Sequence, residues 1–238
     1  MIFAAILAGG KGTRVGTNIP KQFLNLGEKP IIIRTIDVFL TSGLVDFIYI
    51  SVNEMWIEHM QTLLKQYYSV EDQKRFKIVN GGVERIMSFL NIIYDIRDTF
   101  GINEKDMVLS HDAVRPFVTC EIIKDCIEKT MEFRVAMAAI PSADTTYCSL
   151  KEGLLTGTYD RKLLWYGQTP QGCNMKFMYD VICSYTQEEL LKMTGTSQLF
   201  INKGIDLKIS LGSGNNLKIT TLQDVDFSEY IMKKTAKQ

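Results

Sequence analysis

Residues Ile2–Leu7, IFAAIL, are apolar at odd and even positions alike. A strand sends successive side chains to opposite faces, so such a run is satisfied only when both faces are buried. That excludes a sheet with one wet face at this point. The same texture returns at Phe47–Val52 (FIYISV) and Val135–Ile140 (VAMAAI), and shorter strands are expected at Phe76–Val79 and Asp106–Ser110. Between them lie runs with helical spacing. Pro30–Thr41 opens on a proline suited to a first helical turn, Trp56–Tyr67 turns Met60, Leu63 and Leu64 inward, Glu84–Ile96 does so with Ile86, Phe89, Leu90, Ile93 and Tyr94, and Cys120–Glu132 follows. Doubly apolar strands alternating with helices predict an α/β fold with a parallel sheet covered on both faces.

From Ser142 the texture changes. SADTTYCSLKEGLLTGTYDRKLLWYGQTPQ offers Thr, Tyr and Gly in short pieces without a helical period, which predicts a projecting β-hairpin arm at about 142–168. The α/β pattern resumes with helices at Lys176–Tyr185 and around Gln187–Lys192, and a strand at Leu207–Leu211. A closing helix at Leu222–Lys234 is expected to turn Val225, Phe227, Tyr230 and Ile231 largely inward. No linker or repeat divides the chain, so residues 1–238 are expected to form one domain.

Lys+Arg and Asp+Glu are 27 each, leaving no net charge to attract nucleic acid or an acidic membrane. Any electrostatic function must be local. Five cysteines without a C-x-x-C pair, beside two histidines, argue against zinc and for reduced thiols in the cytoplasm. No basic segment precedes IFAAILA, Gly9-Gly10 cuts that run short, and no stretch approaches the roughly 20 apolar residues of a membrane span.

The first strand ends in LAGGKGTRVGTNIPKQF, three early glycines followed by Arg14 and Lys21. Glycines after a first strand let backbone N–H groups approach phosphate. The dinucleotide spacing G-x-G-x-x-G fails, because Gly16 lies one residue too far from Gly12, and no Gly-Lys-Ser/Thr triplet makes a P-loop. What remains is a loop able to neutralise a triphosphate, or else an ordinary solvated basic loop. Further stretches fall at comparable strand ends, where open α/β sheets bind ligands. NGGVERIMS places Arg85 and Ser88 three apart on a helix after Gly81-Gly82. HDAVRP brings Asp112, a candidate magnesium ligand, and Arg115, which could instead form a turn-stabilising salt bridge. NNLKITT carries Lys218.

LAGGKGTR, PKQF, GGVERIMS, HDAVRP, QTPQ and LKITT, in this order and over nearly the whole chain, closely resemble the small cytidylyltransferases that load CTP onto a sugar-alcohol phosphate. The resemblance implies a doubly wound, mostly parallel Rossmann-like sheet, Mg²⁺, and a homodimer clasped through its β-arms. It implies that Arg14, Lys21 and Lys218 are catalytic, and that Ala8, Gly9, Gly10, Gly12, Gly81, Gly82, Arg85, Ser88, Asp112 and Ala113 join them around CTP. Asp112 matches the metal position, while Arg115, Thr145 and Arg161 match positions for the acceptor phosphate, the last two reaching the partner subunit. An ionised acceptor phosphate needs no side-chain nucleophile, so the lack of a Ser/His/Asp or Cys/His set is expected.

Two branches compete, one using D-ribitol 5-phosphate and one using 2-C-methyl-D-erythritol 4-phosphate. Val114 and Phe117 in HDAVRPF, together with YGQTPQ and NNLKITT, look ribitol-like. Both branches usually carry Thr-Asp where this chain reads Thr194-Gly195, which bears on the acceptor rather than on CTP. A nucleotide-binding homologue without activity and a nicotinamide dehydrogenase are the remaining alternatives; the failed glycine spacing speaks against the second. His111 and the cysteines are expected to be structural.

Overall fold

Strand β1 (Ile2–Ala8) lies inside a seven-stranded sheet and meets the demand of its sequence. In this computed structural model, which describes residues 1–9 and 19–235, Ala4, Ile6 and Ala8 enter one core and Phe3, Ala5 and Leu7 the other. A small ribbon, β2 (Asn25–Leu26) and β3 (Lys29–Pro30), leads to α1 (Ile31–Thr41). Next come β4 (Phe47–Val52), α2 (Ile57–Tyr67), the single turn α3 (Val70–Gln73), β5 (Phe76–Asn80), α4 (Arg85–Phe100), β6 (Met107–Asp112), α5 (Cys120–Phe133) and β7 (Val135–Pro141). The arm contains β8 (Tyr147–Cys148) and β9 (Gly157–Thr158). The chain then returns through β10 (Trp165–Asn174), α6 (Met175–Cys183), α7 (Gln187–Leu191), α8 (Gln198–Ile201), β11 (Lys208–Leu211) and α9 (Leu222–Thr235).

The sheet order is β11-β7-β10-β6-β1-β4-β5, with every pairing parallel except those of β10. One face is covered by Ile32, Ile33, Ile36 and Phe39 of α1 with α2 and α5, the other by α4, α6 and α8. Full burial of each such side chain is worth about 1.5–3 kcal/mol, so the two cores favour this pairing of strand parity with helix face over any one-residue slip.

Several boundaries differ from the sequence reading for identifiable reasons. Pro30 is the N-cap of α1 rather than its first turn. Helix α4 runs past Ile96 to Phe100 and stops where Gly101 takes φ 78°, a conformation glycine adopts without a Cβ penalty. His111 and Asp112 belong to β6 rather than to the loop after it.

The arm prediction needs correction at its return limb. Only β8 and β9 pair as a hairpin, whereas Trp165–Gly167 joins β7 and Gln171–Asn174 lies between β6 and β7. Pro170 and two glycines make this stretch read as a turn; a register shift between Gly167 and Gln171 accommodates the proline. In α9, Val225 packs inward, but Phe227 is 54% and Tyr230 61% exposed, the two rings stacking on each other. All five cysteines are free. Among the described residues, no helix is long and apolar enough to cross a membrane.

Candidate active site

Parallel pairing brings the carboxyl ends of β1, β4, β5 and β6 to one edge of the sheet. The chain runs from β1 to β4 on one side and later returns to β6 on the other, so β1 sits at the switch point where such sheets hold ligands. There the backbones of Gly9 and Gly81 touch. A Cβ on Gly81 would lie 3.2 Å from Gly9 Cα, and one on Gly9 would lie 2.6 Å from Ser88 Oγ. Gly81 N–H donates to Val52 O at 2.7 Å, and Gly82 N–H donates to the buried Ser88 hydroxyl at 3.0 Å. Ser88 therefore shapes the glycine loop from behind. Ala8 and Ala113 are buried, with Ala113 N–H donating to Leu7 O and Ala113 O accepting from Thr35 Oγ1.

Asp112, at the end of β6, is the hub. Oδ1 accepts from Arg85 Nε at 3.0 Å, while Oδ2 lies 2.9 Å from Lys218 Nζ and 3.5 Å from Arg115 Nε. Its backbone N–H donates to Thr169 Oγ1 at 3.1 Å. Burial alone would raise its pKa, but Arg85, Lys218 and Arg115 outweigh that and hold the carboxyl far below the usual range. The cluster thus keeps one carboxylate ionised beneath several cations.

Arg115 is itself buried, and its guanidinium also donates to Asn216 O at 2.7 Å. Burial lowers its pKa and Asp112 opposes the shift. The salt-bridge reading of the Asp112–Arg115 pair is thus realised in the geometry. His111 is fully buried, donates from Nε2 to Arg115 O at 3.1 Å and packs on Phe39, a structural placement.

Gly10, Gly12 and Arg14 lie outside the described residues. Lys21 sits in the 3-10 turn Lys21–Phe23, whose place is fixed by a residue the sequence reading passed over. Gln22 is buried, and its Nε2 donates to Ala8 O at 2.7 Å, tying the turn to the end of β1. Thr196 was also missed. It is buried beside Gly195, lies 3.4 Å from Arg85 and 3.5 Å from Ser110 Oγ, and bonds Gln171. Gly195 is the chain neighbour of Thr196 and so adjoins the cluster. Thr145 and Arg161 stand exposed on the arm, outside this cluster. The signal for Gln22 and Thr196 was weak, because a single polar residue in a loop gives no periodicity to read.

No group of three or more His, Cys, Asp or Glu side chains that could hold a metal occurs among the described residues. Magnesium is commonly held by one or two carboxylates together with phosphate oxygens. Among the described residues, Asp112 is the ionised carboxylate of this cluster and is of the type that mode requires.

A doubly wound sheet that gathers cations around one carboxylate at its switch point defines an α/β protein built to hold a phosphate-rich ligand. The family described as "IspD: 2-C-methyl-D-erythritol 4-phosphate cytidylyltransferase" matches residues 2–234, and the chain belongs to that family of nucleotidyltransferases. It is 36% identical over 98% of its length to all of a protein of Streptococcus pneumoniae serotype 2 named ribitol-5-phosphate cytidylyltransferase. Among solved structures, the 2-C-methyl-D-erythritol 4-phosphate cytidylyltransferase of Francisella tularensis superposes with TM-score 0.79 at 26% identity, covering 96% of this chain and 98% of that one. The 4-diphosphocytidyl-2C-methyl-D-erythritol synthase of Anaerococcus prevotii has the same fold, with TM-score 0.79 at 24% identity and 98% of each chain covered.

Proposed function

We propose that the chain joins CTP to D-ribitol 5-phosphate, forming CDP-ribitol and releasing pyrophosphate. The choice of acceptor is carried by the 36% identity to the pneumococcal protein, which spans the whole of that relative.

At neutral pH a phosphate monoester is largely dianionic, its second pKa being about 6. An oxygen of the acceptor phosphate attacks the α-phosphorus of CTP, a new P–O–P linkage forms, and pyrophosphate leaves with the electron pair of the broken bond. Positioning and charge stabilisation carry such a transfer. Arg14, Lys21 and Lys218 neutralise charge on the triphosphate and at the transition state. The loop of Gly81, Gly82 and Arg85, shaped by Ser88, surrounds the cytidine. When bound, Mg²⁺ supplies further neutralisation of the phosphates, with Asp112 as the side chain that holds it. Arg115 acts by holding Asp112 and Asn216 in place.

The arm exposes Tyr147, Leu150, Leu154, Leu155 and Leu163, and Trp165 is exposed where the chain enters β10. A second copy of the chain covers them in this reading, and Thr145 and Arg161 then serve the acceptor phosphate of the partner's site. The product feeds polymer or capsule synthesis in the cytoplasm.

Incubation with CTP, Mg²⁺ and D-ribitol 5-phosphate, followed by phosphorus NMR, tests the reading through appearance of a diphosphate diester. A diester formed only with 2-C-methyl-D-erythritol 4-phosphate, the acceptor in the family's description, replaces ribitol with that second reading.

A further inference from the structure

Lys218 lies on an irregular segment between β11 and α9, where no helix or strand fixes its direction. Something else must hold its ammonium against Asp112. The segment is fastened at Ser213, Asn216 and Ile219. Ile219 N–H donates to Val114 O at 2.9 Å, in the turn that follows Asp112. Asn216 is fully buried, and its Nδ2 donates to Thr169 O at 2.8 Å and to Gln168 Oε1 at 3.3 Å. Ser213 is gripped from both sides by one amide: Gln168 Nε2 donates to Ser213 O at 2.8 Å, and Ser213 N–H donates to Gln168 Oε1 at 3.1 Å.

Gln168 is thus common to two of the fastenings. It is buried, at the point where the return limb of the arm enters the sheet. Two residues earlier, Tyr166 receives a hydrogen bond from Ser142 at 3.1 Å, closing the base of the arm. The next residue, Thr169, accepts from Asp112 N–H. One short stretch of β10 therefore bonds both Asp112 and the segment that carries Lys218.

We propose that Gln168 is a positioning residue that sets the Lys218 ammonium against Asp112 by clasping Ser213 and Asn216. Its own amide makes hydrogen bonds to protein partners and acts on the reaction only through Lys218. The proposal rests on the reading of Lys218 as part of the reacting site. A buried amide that only filled space would be replaceable by an apolar side chain of like length at a cost in stability alone. A positioning amide would not, because its loss frees Ser213 and removes one of the two side-chain bonds of Asn216, loosening the segment that carries Lys218.

The test is a double-mutant cycle with Gln168→Met and Lys218→Ala, read by steady-state kinetics with CTP and the accepted polyol phosphate. Gln168→Met is expected to lower kcat at least tenfold with KM for CTP changed less than threefold. In the Lys218→Ala background it is expected to cost less than a further twofold. Independent, multiplicative losses would overturn the proposal, as would an unchanged kcat. Should Gln168→Met fail to fold, Gln168→Glu enters the same cycle with the same expectations; it keeps the contacts to Ser213 N–H and Asn216 Nδ2 and loses the donation to Ser213 O. A lysine-ammonium NMR spectrum, with the Lys218 signal assigned from Lys218→Ala, gives a readout independent of the acceptor. That signal should move or vanish in the Gln168 variant; if it stays in place, the positioning role is contradicted. A wild-type enzyme silent with both polyol phosphates overturns the functional reading, and the NMR result then decides the positioning role alone.

Discussion

Lys218 Nζ lies 2.9 Å from Asp112 Oδ2, on a carboxylate that Arg85 already engages at 3.0 Å through Oδ1. The lysine side chain is 41% exposed and Asp112 retains both arginines without it. A partly exposed pair of this kind contributes about 0–1 kcal/mol to stability. Lys218→Ala is therefore expected to melt within a few degrees of wild type while kcat/KM falls by about 10²–10³, the loss seen when one donor to a developing charge is removed. Thermal melts and initial rates check both halves. Near-normal turnover would remove Lys218 from the mechanism.

Gln22 holds Ala8 O, and with it the Lys21 turn, against the end of β1. Gln22→Leu leaves that carbonyl without its side-chain donor, at a cost of about 1–3 kcal/mol. Because Lys21 rides on the same turn, the rate is expected to fall at least tenfold even at temperatures where the variant is fully folded. Denaturant titration and kinetics at low temperature separate the two effects.

His111 is fully buried, and burial holds its imidazole pKa down at about 4. In the unfolded chain the value is about 6.5. Between these limits the unfolded state binds more protons, so the contribution to stability is present in full above pH 6.5 and is lost as pH falls towards 4. Linkage gives a loss of about 2 kcal/mol from pH 7 to pH 5. Asp112 titrates far below this window. His111→Gln keeps an amide donor for Arg115 O and cannot titrate, so urea unfolding at the two pH values should show a much smaller difference. An undiminished difference would assign the pH dependence to other groups.

Gly195 has room. A Cβ there would meet nothing nearer than Ser197 Oγ at 3.9 Å. Gly195→Asp is expected to change stability by less than about 0.5 kcal/mol, because the site is neither crowded nor strained. The resemblance ties the aspartate usually found at this position to the acceptor, so the added carboxylate is expected to change KM for the polyol phosphate and to leave KM for CTP within twofold. Initial rates with each substrate varied in turn check this.

The sheet was legible in the sequence because burial on both faces leaves an unambiguous mark, as IFAAIL in β1 shows. Strand β10 was not, since Pro170, Gly167 and Gly172 carry turn chemistry that a register shift absorbs. Phe227 and Tyr230 misled for a different reason: helical period locates a stripe but not the partner that covers it. In the site, the charged residues Asp112, Arg85, Arg115 and Lys218 could be named from motifs, and the structure brings them together. The buried side-chain amides around them, Gln22, Gln168 and Asn216, could not. Each donates to a backbone carbonyl distant in sequence, which local pattern does not encode.

Pyrophosphate release from CTP and Mg²⁺, compared between D-ribitol 5-phosphate and 2-C-methyl-D-erythritol 4-phosphate under identical conditions, decides which acceptor the enzyme uses. The ratio kcat/KM is expected to be at least tenfold higher with ribitol phosphate. Turnover confined to methylerythritol phosphate, or none with either, would contradict the proposed reaction.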